Sequence, residues 1–129
     1  MARVTPLAAV VEAMDREWRW GVCDCCTAAC DAFAALHGID PMAPLRGRYD
    51  TALGAARIIR AHGGPLAMAE HLAGLAGLRP GIGLRGEVGV VSGEGLRMAL
   101  ALCLGPQSWA AKTARGFATV HHVERSWRV

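Results

Sequence analysis

Four of the five cysteines of this 129-residue chain lie within eight residues, where a loop gives way to an apolar helical run. They are Cys23, Cys25, Cys26 and Cys30, and Asp24 precedes the second of them at the predicted helix start. The unpaired N–H groups of a first helical turn, with the positive end of the helix dipole, favour thiolate over thiol. This pattern is typical of a nucleophilic cysteine, which also needs a base, normally a histidine from elsewhere in the fold.

Two other interpretations of the cluster stay open at the level of the sequence. Cys26 and Cys30 are four residues apart on a helix and could share a metal-ligand face, with His37 further along. The spacing differs from the paired C-x2-C of zinc sites, however, and no second pair follows. Alternatively, these cysteines are small buried apolar residues under the first helix. We expect neither a metal nor a cofactor, and a Cys-cluster metal module is the second alternative.

Five histidines are candidates for the base. Three of them are expected at helix ends or on an exposed helix face: His37, His62 and His71. His121 and His122 follow a predicted strand directly and are the histidines of the C-terminal half. Because neighbouring residues on an extended segment point to opposite faces, at most one of these two can face a cleft that contains the cysteine. The candidate catalytic residues are therefore Cys25 with His121 or His122.

The chain changes character near residue 80, which predicts a single α+β domain over residues 1–129 with separated halves. Residues 1–78 show helical periodicity, and residues 79–129 read as short strands of an antiparallel β-meander or half-barrel. The predicted helices cover 6–18, 25–37, 49–62 and 66–75. The predicted strands cover 86–92, 96–104, 109–113, 116–120 and 126–129, with a hairpin turn at 93–95.

Composition restricts the class of protein and its partners. The net charge is +3, divided as −1 over residues 1–78 and +4 over 79–129, without a Lys/Arg block, so we expect no nucleic-acid partner. The longest apolar runs, 7–11 and 98–104, are far shorter than the roughly 20 residues of a membrane helix. The odd cysteine count argues against a disulfide framework, and no secretory signal is recognisable, so synthesis in a reducing cytoplasm is expected.

The order of several short motifs resembles the NlpC/P60 cysteine peptidases and, more closely, small phage-encoded proteins of the DUF6950 type. An aromatic-Gly-x-x-Asp-Cys segment opens a helix, and a Gly-Glu/Asp-Val strand start and a meander follow. The matching segments are Trp20-Gly21-Val22-Cys23-Asp24-Cys25, Gly38-Ile39-Asp40-Pro41, Arg46-Gly47-Arg48-Tyr49, Gly86-Glu87-Val88-Gly89-Val90-Val91 and Ser126-Trp127-Arg128-Val129. The resemblance covers most of the chain.

This resemblance implies a papain-like fold with Cys25 in the nucleophile position. It also implies a phage or gene-transfer-agent tail protein, present in the virion with other tail proteins as partners and with peptidoglycan stem peptides as the substrate of its peptidase relatives. The catalytic histidine of those relatives begins the strand after the Gly-Asp-Val strand, where this chain has Gly95-Leu96-Arg97-Met98. Because the guanidinium of Arg97 stays protonated, it cannot act as the base. We expect a structural or assembly role with weakened or lost catalysis. The first alternative is an active peptidase or amidase that uses Cys25.

Overall fold

The computed structural model describes residues 4–92 and 97–129, and the predicted hairpin turn at 93–95 lies outside these residues. The chain forms helices first and strands second, which confirms the α+β class. The helices are α1 (Pro6–Met14), α2 (Cys25–His37), α3 (Ala52–Ala61) and α4 (Pro65–Leu75), with a short 3-10 turn at Ala43–Leu45. The strands are β1 (Arg79–Pro80), β2 (Val88–Ser92), β3 (Met98–Gly105), β4 (Ser108–Lys112), β5 (Phe117–Val120) and β6 (Arg125–Arg128).

Capping residues set the helix boundaries. The Thr5 hydroxyl accepts a hydrogen bond from the Ala8 N–H at 3.1 Å, and Pro6 occupies the first helical position of α1. Helix α2 ends at Gly38, whose left-handed backbone (φ 73°) suits glycine. Helix α1 ends four residues earlier than the pattern predicts, because the Trp18 N–H leaves the helix and donates to the Ala114 carbonyl at 2.7 Å.

The six strands form one antiparallel sheet in the order β1-β6-β2-β3-β4-β5. Strands β2 to β5 are the predicted meander, and β6 returns to pair with the other side of β2. The two-residue strand β1, which the sequence pattern does not predict, extends this edge. Helix α2 packs on α1 and lies across β3 and β4, so the start of α2 is held against the sheet.

Each face of the sheet buries apolar side chains. The main core lies between the helices and the sheet and includes Phe33, Met14, Met42, Leu102 and Val90. A smaller cluster on the other face joins Ala101, Cys103 and Trp109 to the connection between β5 and β6. A Cβ at Gly89 would lie 2.9 Å from both Trp109 and Val123, so glycine lets that connection cross β2. Among the described residues no helix has the length and apolarity needed to cross a membrane.

Candidate functional site

A tight turn delivers the chain to the start of α2. Arg19 and Cys23 form an antiparallel bridge, with the Arg19 N–H donating to the Cys23 carbonyl at 2.9 Å. Gly21 lies inside this turn with a φ of 81°, and a Cβ there would lie 2.2 Å from the Tyr49 carbonyl oxygen. Glycine is therefore required both by the backbone conformation and by the closeness of the neighbouring chain.

The Asp24 carboxylate is the buried centre of the turn. Its Oδ1 accepts from the N–H groups of Cys26 and Thr27 at 2.9 Å, as an N-cap does. Its Oδ2 accepts from the Gly21 N–H at 2.8 Å and from the Tyr49 hydroxyl at 2.7 Å. The Thr27 hydroxyl completes the capping box by accepting from the Asp24 N–H at 2.8 Å. Both carboxylate oxygens are thus committed to holding the turn and the helix start together.

Tyr49 lies in the loop before α3, although the sequence pattern predicts it as the first residue of that helix. Burial, the hydrogen bond to Asp24 and the Asp24 charge together raise the pKa of Tyr49 above its usual range. Its hydroxyl therefore stays protonated and donates to Asp24 at all physiological pH values. The bond holds Tyr49 against the start of α2, and α3 begins only after its own N-cap, Thr51.

Cys25 is the first residue of α2, as predicted, and its side chain is half-buried. The Sγ atom lies 3.2 Å from the main-chain oxygen of Met98, the first residue of β3, to which the thiol donates. It lies 4.0 Å from the Sγ of Cys26. The cysteine at the helix start therefore faces the beginning of the strand that follows β2.

The other four cysteines are buried. Cys23 donates to the Ala13 carbonyl at 3.5 Å, under α1. The hydrogen bond with Cys25, followed by burial, raises the pKa of Cys26 well above its usual range, and burial raises that of Cys30. Burial also raises the pKa of Cys103. Cys26, Cys30 and Cys103 therefore stay protonated near neutral pH. Cys26 and Cys30 pack as small apolar groups, as one of the three interpretations of the cluster expects.

The four clustered thiols do not converge on one point. Within residues 4–92 and 97–129, the groups that could share a metal ion are Asp24, Cys25 and Cys26, whose ligand atoms lie within 4.8 Å of one another. Cys23 and Cys30 do not join this group. Because both Asp24 oxygens already accept two hydrogen bonds each, a metal there would compete with the helix cap.

A cavity of about 550 Å³ opens beside Cys25. It lies between the turn, α3 and the start of β3, and most of its walls are apolar. The described residues that line it are Trp18, Trp20, Asp24, Cys25, Cys26, Tyr49, Ala52, Ala55, Ala56, Ile59, Arg97 and Met98. The sequence pattern does not indicate that the two tryptophans and Arg97 line one cavity, because Trp20 and Arg97 are far apart along the chain.

All five histidines lie in the described ranges, and none of them lines this cavity. The His121 Nδ1 lies 3.0 Å from the Gln107 carbonyl oxygen, in the turn that follows the end of β3. Cys25 contacts the start of β3, and the strand is roughly 20 Å long at about 3.3 Å per residue. His122 follows in the exposed connection to β6. The structure thus does not bring His121 or His122 together with Cys25.

The remaining histidines have structural contacts. His37 is at the opposite end of α2 from Cys25, with its Nε2 2.9 Å from the Gly86 carbonyl oxygen. The His62 Nδ1 lies 2.9 Å from the Ile58 carbonyl oxygen, and its ring packs at a tilt of 44° against that of His71, with centroids 5.3 Å apart. These contacts agree with cap or surface roles rather than with general-base catalysis.

We predict that Cys25 reacts with iodoacetamide without help from a histidine. Because it is half-buried while Cys103 is fully buried, its rate should exceed that of Cys103 by about tenfold or more. His121→Gln and His122→Gln should leave this rate unchanged at every pH from 5 to 9. The measurement is site-mapped mass spectrometry. A large fall in the alkylation rate of Cys25 in either variant would show that the replaced histidine acts on this thiol.

Two further motifs of the sequence have structural roles. Arg46, in the basic turn, binds Asp31 at 2.6 Å and Asp40 at 3.0 Å, which fixes the loop after α2. The Glu87 carboxylate accepts from the N–H groups of Ile82, Gly83 and Leu84 at 2.8–3.0 Å, and from the Ser126 hydroxyl at 2.7 Å. The Gly-Glu-Val motif thereby anchors the loop before β2 to β6.

Comparison with known proteins adds a family and no activity. No curated protein and no solved structure matches the chain. The DUF6950 family, a domain of unknown function, matches residues 3–129. Because the match spans nearly the whole sequence, the chain belongs to the DUF6950 family.

Proposed function

We propose that this protein is a tail-associated component of a phage or gene transfer agent, with a peptidase-like fold that acts by binding and not by hydrolysis. The observation that carries the proposal is the environment of Cys25. Its thiol donates to the main-chain oxygen of Met98 and shares a cavity with Arg97, and no described histidine lines that cavity. The resemblance to the NlpC/P60 peptidases calls for a histidine at the start of this strand.

The described groups around Cys25 cannot supply the acid–base chemistry of a cysteine peptidase. Such an enzyme must remove the thiol proton and later protonate the leaving amine, normally through one imidazole. The Met98 oxygen only accepts a hydrogen bond, and the Arg97 guanidinium stays charged. The Asp24 carboxylate is occupied by four hydrogen bonds, and Tyr49 keeps its proton. A substrate amide in the cavity would find a thiol without a base.

The peptidase-like part of the proposal is supported by the arrangement of the motifs. Asp24-Cys25 begins a helix that lies across a meander, and the Gly86-Glu87-Val88 motif leads into the strand beside β3. The first residue of β3 is the one that contacts Cys25. The resemblance places the catalytic histidine at the start of β3, so a change of residue there would remove the base from a site of this type.

The tail-associated part of the proposal is supported by the resemblance to phage-encoded proteins of this family. We expect the chain to remain with purified particles through a density gradient and to appear in the tail fraction after heads and tails are separated. Quantitative mass spectrometry of each fraction measures this, with a capsid protein as the reference. Recovery only from the soluble lysate, with none on the particles, would contradict the tail assignment.

An active cysteine peptidase or amidase is the second candidate function. It is favoured by the position of Cys25 at a helix start, half-buried beside an open cavity, where substrates could reach it. The two candidates differ in one measurable property, the cleavage of a stem peptide.

A further inference from the structure

The cavity beside Cys25 has the size and walls of a ligand site. Its volume of about 550 Å³ falls inside the range of about 300–1,000 Å³ that ligand pockets occupy. Trp18 and Trp20 form an edge-to-face pair with ring centroids 5.0 Å apart on one side. Ile59 and Met98 contribute aliphatic surface, together with three small residues of α3. The walls thus suit one or two apolar side chains of an occupant.

One side chain of the lining is placed to select that occupant by its charge. The Arg97 guanidinium adds a positive charge to the same cavity. Asp24 and Tyr49 hydrogen-bond each other, so among the described residues the lining offers an incoming ligand a cation and no available anion.

We propose that the cavity binds an acidic–apolar peptide segment of a partner protein. One or two apolar side chains of the segment pack against Trp20, Ile59 and Met98. A carboxylate next to them pairs with Arg97. This proposal rests on the proposed function, since it gives the non-hydrolytic site its partner class. A cell-wall stem peptide fits less well, because its many polar groups would face apolar walls.

Protection of Cys25 from iodoacetamide reports occupancy of the cavity at a single residue. The probes are three acetylated, amidated hexapeptides, Gly-Ser-Leu-Phe-Glu-Gly and its variants with Gln or Lys in place of Glu, and a peptidoglycan-derived stem peptide. We expect the Glu peptide to slow Cys25 alkylation at lower concentration than the Gln peptide, and the Lys peptide to be weakest. For one partly exposed ion pair the preference of Glu over Gln should be about two- to fivefold in concentration.

Matched variants separate the contribution of the Arg97 charge to peptide binding from that of the apolar walls. Arg97→Gln should abolish the preference for Glu while keeping the binding of the Gln peptide. Ala56→Phe places a ring in the cavity wall and should remove protection by every peptide. Ala8→Phe, on the exposed face of α1, is the control for added bulk. Near-ultraviolet circular dichroism of each variant verifies the fold before labelling.

The outcomes distinguish this inference from the proposed function. Intact peptides that fail to protect Cys25, or equal protection by the Glu and Lys peptides, would overturn the acidic–apolar partner and leave the absence of hydrolysis standing. Stronger protection by the stem peptide than by the Glu peptide would also overturn it. Cleaved peptides in the same samples, detected by mass spectrometry, would instead overturn the proposed function.

Discussion

Replacing Asp24 with alanine should lower the free energy of unfolding by about 3–5 kcal/mol, because it leaves several buried donors without an acceptor. The carboxylate accepts hydrogen bonds from three N–H groups and one hydroxyl, and the residue is 1% exposed. Water cannot replace these bonds without opening the turn. Urea unfolding followed by far-ultraviolet circular dichroism measures the change.

Two further variants provide comparisons for this loss of unfolding free energy. Thr51→Ala removes the N-cap of α3, an exposed cap with a single acceptor bond to the Gly54 N–H, and should cost about 1 kcal/mol. Asp24→Asn keeps a capping oxygen but presents an amide where Gly21 donates, so its cost should fall between the two. An Asp24→Ala protein no less stable than Thr51→Ala would show that the carboxylate does not hold the site together.

Replacing Glu87 with alanine should cost about 2–4 kcal/mol at pH 7, since three N–H groups and the Ser126 hydroxyl lose their common acceptor. The residue is 2% exposed. Burial opposes the charged carboxylate, but hydrogen bonds from the Ile82, Leu84 and Gly83 N–H groups and from Ser126 outweigh it. The pKa of Glu87 is therefore lowered from 4.5.

A lowered folded-state pKa fixes the direction of the pH dependence. The stabilisation from Glu87 is present above its unfolded-state pKa of 4.5 and is lost as pH falls below that value through the lowered folded-state pKa. Glu87→Gln, which cannot titrate, should flatten this acid limb of the stability curve. Glu12→Gln, at an exposed position of α1, is the matched control. An unchanged acid limb in Glu87→Gln would contradict the assignment.

Local chemistry made much of the fold predictable. Helix α2 has the predicted bounds because Asp24 and Gly38 are strong cap residues at its two ends. The strands of the meander begin and end within two residues of the predicted bounds where the structure describes them. Strand β1 was not predictable, since two residues carry no periodicity and their pairing with β6 depends on the tertiary fold.

The candidate site was predictable only where it depends on neighbours in sequence. Cys25 at a helix start follows from Asp24-Cys25 and the apolar run after it. The contact of Cys25 with Met98, and the cavity it shares with Arg97, join segments that are more than 70 residues apart in sequence. The position of Trp18 in that cavity depends on where α1 ends. His121 was a candidate base because it directly follows a predicted strand. In the antiparallel sheet, however, the end of β5 lies beside the end of β3, whereas Cys25 contacts the start of β3.

The most direct test of the central claim is the digestion of purified peptidoglycan by the wild-type protein and by Cys25→Ala, with soluble products analysed by mass spectrometry. An active NlpC/P60 peptidase serves as the positive control. If the site binds peptides but has no base, both proteins should give the same products as a sample without protein. Cleaved stem peptides released by the wild type and absent with Cys25→Ala would contradict it and establish Cys25 as a working nucleophile.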